Sequence, residues 1–467
     1  MTRQYHLSAA LLAQGWSRHV NISVADSGLI TGISSGVPPP DAQRIGGIVF
    51  PGMPNAHSHA FQRAMAGTAE YRISAADSFW TWRDAMYRLA NRLDPEQLRI
   101  VATQLFVEML KAGYTSVAEF HYLHRRTDGS AYAGNNELWD AIRAAAATAG
   151  IGLTLLPTLY QSSDFGGAPL KAEQRRFAVD IDAFVRAIDH AARAGAASLT
   201  ATTSVTGAAF HSLRAVPVET LCEVTRQLRS IEKRLPLHIH VAEQLREVQS
   251  CRRHSGMRPV ELLLQTGLID EHWCLVHATH ATAAELRGIA AAGATVCVSV
   301  TTEANLGDGV FAAPGFLKAR GRLCVGSDSQ STVSPAEELR WLEYEQRLRR
   351  RRRGILATRH EAHVGTRLWR EAASAGAQAL GQPVGSIEVG RRADWLVLDP
   401  SHPALAGASL DGTLDHVLFA GAERAISDVM VAGHWVVKGG HHAAEGPARG
   451  DFAALMHALR AAGPAID

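Results

Sequence analysis

The sequence predicts an α/β protein built on a (β/α)8 TIM-like barrel, with a small β-sandwich domain formed from both chain ends. Two observations carry this expectation. Between residues 45 and 328, eight short apolar, β-branched runs alternate with longer Ala-, Leu- and Arg-rich stretches, the pattern of repeated βα units around a parallel sheet. Eight such units in ~280 residues match the usual size of a closed barrel. On either side of that region the texture turns to β alone.

The elements follow in order. Residues 18–34, RHVNISVADSGLITGIS, read as strand, Asp-Ser-Gly turn and strand, closed by the prolines at 38–40. The barrel strand candidates are IGGIVFPG near 45, TSVAEFHY near 115, GLTLLPTLY near 152 and ASLTATTSV near 197. Four more are PLHIHVAE near 236, WCLVHAT near 273, ATVCVSV near 294 and GRLCVGSD near 321. Helices are expected between them, as in IDAFVRAIDHAARAGA from 181, where apolar residues repeat at three and four. The run Arg349 to Arg353 reads as a solvated helix end. After residue 384, VGSIEVGRRADWLVLDP and DVMVAGHWVVKGG return to β character and should pair with the opening strands. The expected division is residues 1–50 with 385–445 as the β-sandwich domain, 51–384 as the barrel and 446–467 as a C-terminal helix.

The chain has 467 residues, of which 46% are hydrophobic and 20% charged, so a fold is expected throughout. Lys and Arg number 47 against 45 for Asp and Glu. That balance argues against nucleic acid or an anionic membrane as partner, because no global field would recruit either. No apolar span approaches the ~20 residues of a membrane helix, and AALLA near the start is too short for a signal segment. The five cysteines are odd in number and lack CxxC spacing, which reads as reduced thiols in a cytoplasmic protein.

The 22 histidines are the oddity of the composition. In PGMPNAHSHAF, His57 and His59 alternate along a strand and so share one face. In LHIHVAEQ, His238 and His240 do the same, with Glu243 beyond the strand end; CLVHATH carries His277 and His280, and CVGSDSQ places Asp328 just past an apolar strand. All four groups sit at carboxyl ends of strand candidates, the end at which barrels build active sites. Three imidazoles and a carboxylate suit a borderline cation such as Zn²⁺, with one position left for water.

This order of HxH, His, His and Asp resembles the amidohydrolase superfamily, and GSIEVGRRADWLVLD resembles the segment that returns those proteins to their small β domain. The resemblance implies that His57, His59, His240 and Asp328 bind metal, and that Glu243, His277 and Asp328 carry catalysis. His238 is then barrel packing, and His280 lies outside the ligand set. Two-metal members bridge their ions with a carboxylated lysine at the end of strand four. None of the five lysines lies there, and the HxxE of His240 and Glu243 is similar to the mononuclear deaminase branch, implying one divalent ion per chain, with Zn expected.

Within that branch, MPNAHSHAFQRAMAGTAE, HSLRAV, WCLVHATH and TEANLGDG resemble the family that hydrolyses N-formimidoyl-L-glutamate to N-formyl-L-glutamate and ammonia in bacterial histidine degradation. A small dicarboxylate substrate and a homodimer are what this likeness implies. It assigns substrate binding to Gln62, Arg83, Tyr122, His211 and Arg214, the arginines because a planar fork grips a carboxylate with two parallel hydrogen bonds. Trp80 and Trp82 read as packing, and Asn305 with Asp308 as pocket wall or as a glycine turn. Two other readings stand beside this one: a related aminohydrolase acting on a nucleobase or other ring, and a catalytically inert scaffold of the same fold.

Overall fold

A computed structural model describes residues 2–70, 78–134, 136–196 and 203–461. Its barrel strands are Met53–Ser58, Tyr114–His121, Gly152–Leu159, Ala208–Ser212, Leu237–Val241, Trp273–His277, Thr295–Val298 and Arg322–Val325, each parallel to the next. A parallel bridge from Ser58 to Asp328 brings the last strand round to the first. There the amides of Ser327 and Asp328 donate to the His57 carbonyl at 3.1 and 3.0 Å. Helices cover the outside and side chains fill the inside, which is why these strands read as continuous apolar runs.

Two strand expectations are corrected. The run IGGIVFPG does not open the barrel: Gln43–Pro51 pairs with Thr2–Leu12 and Trp395–Leu398 in the other sheet. The chain crosses to the barrel at Gly52, where an added Cβ would lie 2.2 Å from the Thr115 side chain, and the HxH motif occupies a strand of its own. The second correction concerns ASLTATTSV, of which residues 197–202 lie outside the described residues. Ser204–Thr206 makes a short pairing with the third strand, and the strand beside Leu237–Val241 is Ala208–Ser212. Threonine-rich alternation carries β propensity, but burial decides which segment enters a ladder. Ala208, Ala209 and Phe210 are the fully buried ones.

The chain ends meet in one eight-stranded sheet, in the order His441–His442, His434–Lys438, Ile426–Val431, Trp395–Leu398, Gln43–Pro51, Thr2–Leu12, Gly15–Ala25 and Ile30–Ser35. Its inward residues, among them Leu7, Val20, Ile22, Val24 and Met430, form a core separate from that of the barrel, with Tyr5 edge-on to Trp395 at 5.5 Å. The sheet curls back on itself, since Ile30 N–H donates to Arg391 O and Ala393 N–H to Gly28 O, both at 2.8 Å.

Arg392 and Asp394 join the two bodies. Their side chains are fully buried and paired through two hydrogen bonds of 2.8 and 2.6 Å. Arg392 also donates to Gln382, which in turn donates to Thr154 on the third barrel strand. The helix Val364–Leu380 ends at the amino-terminal mouth of the barrel, where Ala379 O accepts from His238 Nε2 at 2.8 Å and Leu380 O from Thr154 Oγ1 at 2.8 Å. His238 thus faces the closed end of the barrel, as packing. The helix Pro95–Ala112 starts in a capping box of Asp94 and Gln97, and Glu445–Ala461 packs along it.

Candidate active site

At the carboxyl ends of the barrel strands, His57, His59, His240, His277 and Asp328 converge. His57 Nε2 lies 3.0 Å from His240 Nε2 and 3.3 Å from Asp328 Oδ1, while His59 Nε2 is 3.4 Å from the same oxygen. Nδ1–H of His59 donates to Phe120 O and that of His240 to His211 O, both at 2.8 Å. These two bonds set the tautomers, leaving each Nε2 with its lone pair turned inward. Lone pairs and a carboxylate oxygen crowded about one point repel one another until they share a cation. The donor set therefore fits a divalent metal, and its nitrogen and oxygen character suits zinc. Burial depresses the pKa of His57 and of His59, the latter to about 3, which favours the neutral imidazole that a metal would need. For Asp328 burial works upward, but the bond and charge of His57, with His277 and His59, hold its carboxyl below the usual range.

The backbone here is held in uncommon shapes. Ala242, His277, Ala278, Asp328 and Gln330 all have positive φ, between 45° and 68°, a region costly for residues with a Cβ. The surrounding contacts enforce it. Asn55 Nδ2 donates to Ser327 Oγ at 2.7 Å and Ser327 N–H returns to Asn55 Oδ1 at 3.1 Å. A Cβ on Gly326 would sit 2.7 Å from the His57 carbonyl, so only glycine lets strand eight approach strand one this closely. Glu119, at the end of strand two, accepts Ala60 N–H at 2.7 Å and lies 2.7 Å from Ser58 Oγ, clamping the residues on either side of His59.

Glu243 and His277 stand beside the cluster. Glu243 Oε1 is 3.7 Å from His277 Nε2, and its side chain is 14% exposed. Burial pushes its pKa up to about 7, against the opposing pull of His277. The amides of Ala242 and Glu243 both donate to Glu247 at 3.0 Å, which fixes the turn that presents Glu243. On its far side His277 Nδ1 meets Glu303 Oε1 at 3.2 Å. Burial disfavours charge on His277, but Glu243, Glu303 and Asp328 together raise its pKa. Asp308 accepts from Gln244 and is pushed to about 9 by burial and by Glu243, whereas Asn305 reaches outward to Glu70.

The other wall is cationic. Arg83 Nε and Arg214 Nε and Nη1 are buried with no hydrogen-bond partner, and neither arginine pairs with a carboxylate among the described residues. Both guanidinium carbons lie over the Trp80 ring, at 4.5 and 5.9 Å. Trp80, expected as packing, packs against the cationic side of the pocket. Gln62 Nε2 donates to Tyr122 OH at 3.0 Å while its Oε1 has no partner, and the Tyr122 ring packs against His59 at 5.0 Å. The His211 ring lies 5.0 Å from His240 and 4.5 Å from Tyr160, bridging the two halves of the pocket.

Sequence reading missed Glu119, Glu247, Glu303 and Gly326. Glu119 had a usable signal, a carboxylate inside the apolar run TSVAEFHY, the same signal that singled out Asp328. Glu247 and Glu303 lie on helices and carried none.

A parallel barrel whose carboxyl mouth holds a histidine and aspartate cluster fit for a cation belongs to the large class of barrel enzymes. Residues 48–436 match the Amidohydrolase family, and the chain belongs to it. It is 50% identical to the formimidoylglutamate deiminase of Pseudomonas aeruginosa, over 93% of this chain and 95% of that one. Among solved structures, an amidohydrolase from Brucella melitensis superposes with a TM-score of 0.91 at 43% identity, covering 98% of this chain and all of the other. A zinc-bound adenosine deaminase from Xanthomonas campestris shares the fold at 20% identity, with a TM-score of 0.80 over 98% of both chains.

Proposed function

We propose that this chain is a hydrolase of linear C–N bonds that converts N-formimidoyl-L-glutamate and water to N-formyl-L-glutamate and ammonia, as a cytoplasmic step of histidine degradation. The observation that carries the reading is the pocket's polarity: a cluster of histidines and carboxylates able to hold a cation on one side, and on the other two arginines with buried guanidinium nitrogens that have no hydrogen-bond partner among the described residues. A small amidine with two carboxylates complements both sides. The half-identical deiminase supports the same substrate, and five free thiols suit a reducing compartment.

In this reading His57, His59, His240 and Asp328 hold one divalent ion, zinc by preference. Such an ion supplies charge stabilisation and makes water nucleophilic near neutral pH. Arg83 and Arg214 take the carboxylates, and Gln62 and Tyr122 face the formimidoyl end. His211 closes the floor between them. Asp328 accepts the proton of the attacking water while His277 orients it. Glu243, with a pKa near the working pH, delivers a proton to the departing nitrogen so that ammonia leaves. A planar ring substrate fits less well, because the indole face that would stack on it already carries guanidinium groups.

The test is ammonia release from synthetic N-formimidoyl-L-glutamate, with the formimidoyl derivatives of aspartate and glycine as controls and a chelator-stripped sample alongside. The glutamate derivative should be turned over best, and activity should vanish on stripping and return with zinc. Turnover of adenosine, guanine or cytosine in its place would overturn the proposal.

A further inference from the structure

Arg246 is the third guanidinium at Trp80, with its central carbon 4.4 Å from the ring centroid. It is exposed, and no described carboxylate pairs with it. Its position is electrostatically poor: it is the second residue of the helix Leu245–Ser255, where the macrodipole favours anions and penalises a cation. Nor does Gln244 cap that helix, since its side chain is drawn off to Asp308. A positive charge set at a helix start, gathered with two others on one indole and paired with no described carboxylate, suits an anionic ligand. The same turn carries Glu243, three residues earlier, and Glu247, which accepts the Glu243 amide.

Resting on the function proposed above, we infer that Arg246 is a specificity-determining residue: it joins Arg83 over Trp80 in holding the distal carboxylate of a diacid substrate at the pocket mouth. Binding there ties the substrate to the turn that presents Glu243. Arg214, more deeply buried and next to His211, faces the other carboxylate. An aromatic face such as Trp80 gathers guanidinium groups without competing for their hydrogen bonds.

Arg246→Met and Arg246→Lys in the zinc-loaded full chain test this, with the diacid N-formimidoyl-L-glutamate and the mono-acid 4-formimidoylaminobutyrate, which keeps the distal carboxylate and lacks the α one, and with the formimidoyl derivative of 2-aminobutyrate, which lacks the distal one. Arg246→Met should raise KM for the two substrates bearing the distal carboxylate by roughly ten- to thirtyfold. It should leave the 2-aminobutyrate derivative within about threefold, and Arg246→Lys should fall between. Equal losses on all three substrates, or none on any, would overturn the assignment. If the parent chain turns over none of them, the functional reading fails on its own account. Binding of glutarate by calorimetry then decides the site: tighter in the parent than in Arg246→Met supports it, and no difference overturns it.

Discussion

Glu243 shows how one environment sets the task of one residue. Its carboxyl is withdrawn far enough from water for its pKa to rise to about 7, yet it stays within 3.7 Å of His277. Glu243→Gln keeps the shape and the amide contacts to Glu247 but cannot transfer a proton. Turnover should fall by ~10²–10⁴-fold while bound metal, measured by atomic emission, stays at the parent level. Glu119 makes the opposite case, a carboxyl whose value is structural. Burial lifts it to about 8, partly offset by the Ala60 amide and the Ser58 hydroxyl. An unfolded chain releases that proton near the ordinary value of about 4.3, so between those limits the folded state binds more protons and stability falls as pH rises. The slope from this group is up to about 1.4 kcal/mol per pH unit. In Glu119→Gln the urea midpoint should therefore decline less between about pH 5 and about pH 8 than in the parent; an unchanged decline would show that Glu119 is ionised in the fold.

Among the elements, the seam between the first and last barrel strands is the one on which the site depends. His57 and Asp328 come from opposite ends of the barrel sequence and meet because Ser327 and Asp328 hydrogen-bond to the His57 carbonyl. Gly326 makes that approach sterically open. Gly326→Ala should push the strands apart, costing about 1–3 kcal/mol of stability and weakening zinc affinity in a competition titration with a chelating dye. Retention of parent affinity would mean that the seam yields without moving His57 and Asp328. The turn from Val241 to Glu247 is the second such element. Its strained Ala242 is held by Glu247, so Glu243, the proposed proton carrier, stands on a braced turn.

On the scale of the molecule, two cores are joined through a small buried polar junction. Arg392 and Asp394 pair just before Trp395–Leu398, an interior strand of the end sheet, and Gln382 relays the contact to Thr154 inside the barrel. Removing one partner of a buried pair leaves an uncompensated charge, at about 3–5 kcal/mol. Arg392→Met should accordingly lower the urea midpoint sharply. The junction lies at the closed end of the barrel, so the kcat of the protein that remains folded should not change; a loss of kcat at full folding would show that the end sheet communicates with the site.

Much of this architecture was legible before any coordinates. The alternation of apolar strands with helical stretches yields the barrel, because burial on both faces writes itself as unbroken apolar runs. The clustered histidines and Asp328 stand out because polar groups at the ends of such runs have no packing reason to be there. Three things were settled only by tertiary structure. The break at Gly52, and the choice of Ala208–Ser212 as the fourth strand, depend on which backbone finds a neighbour, and propensity does not record that. The partners Glu119, Glu247 and Glu303 act through hydrogen bonds to other segments, so their own sequence surroundings look like ordinary strand and helix. The cationic wall is the last: Trp80, Arg83, Arg214 and Arg246 are spread over three segments of the chain, and their shared indole exists only once the barrel has closed.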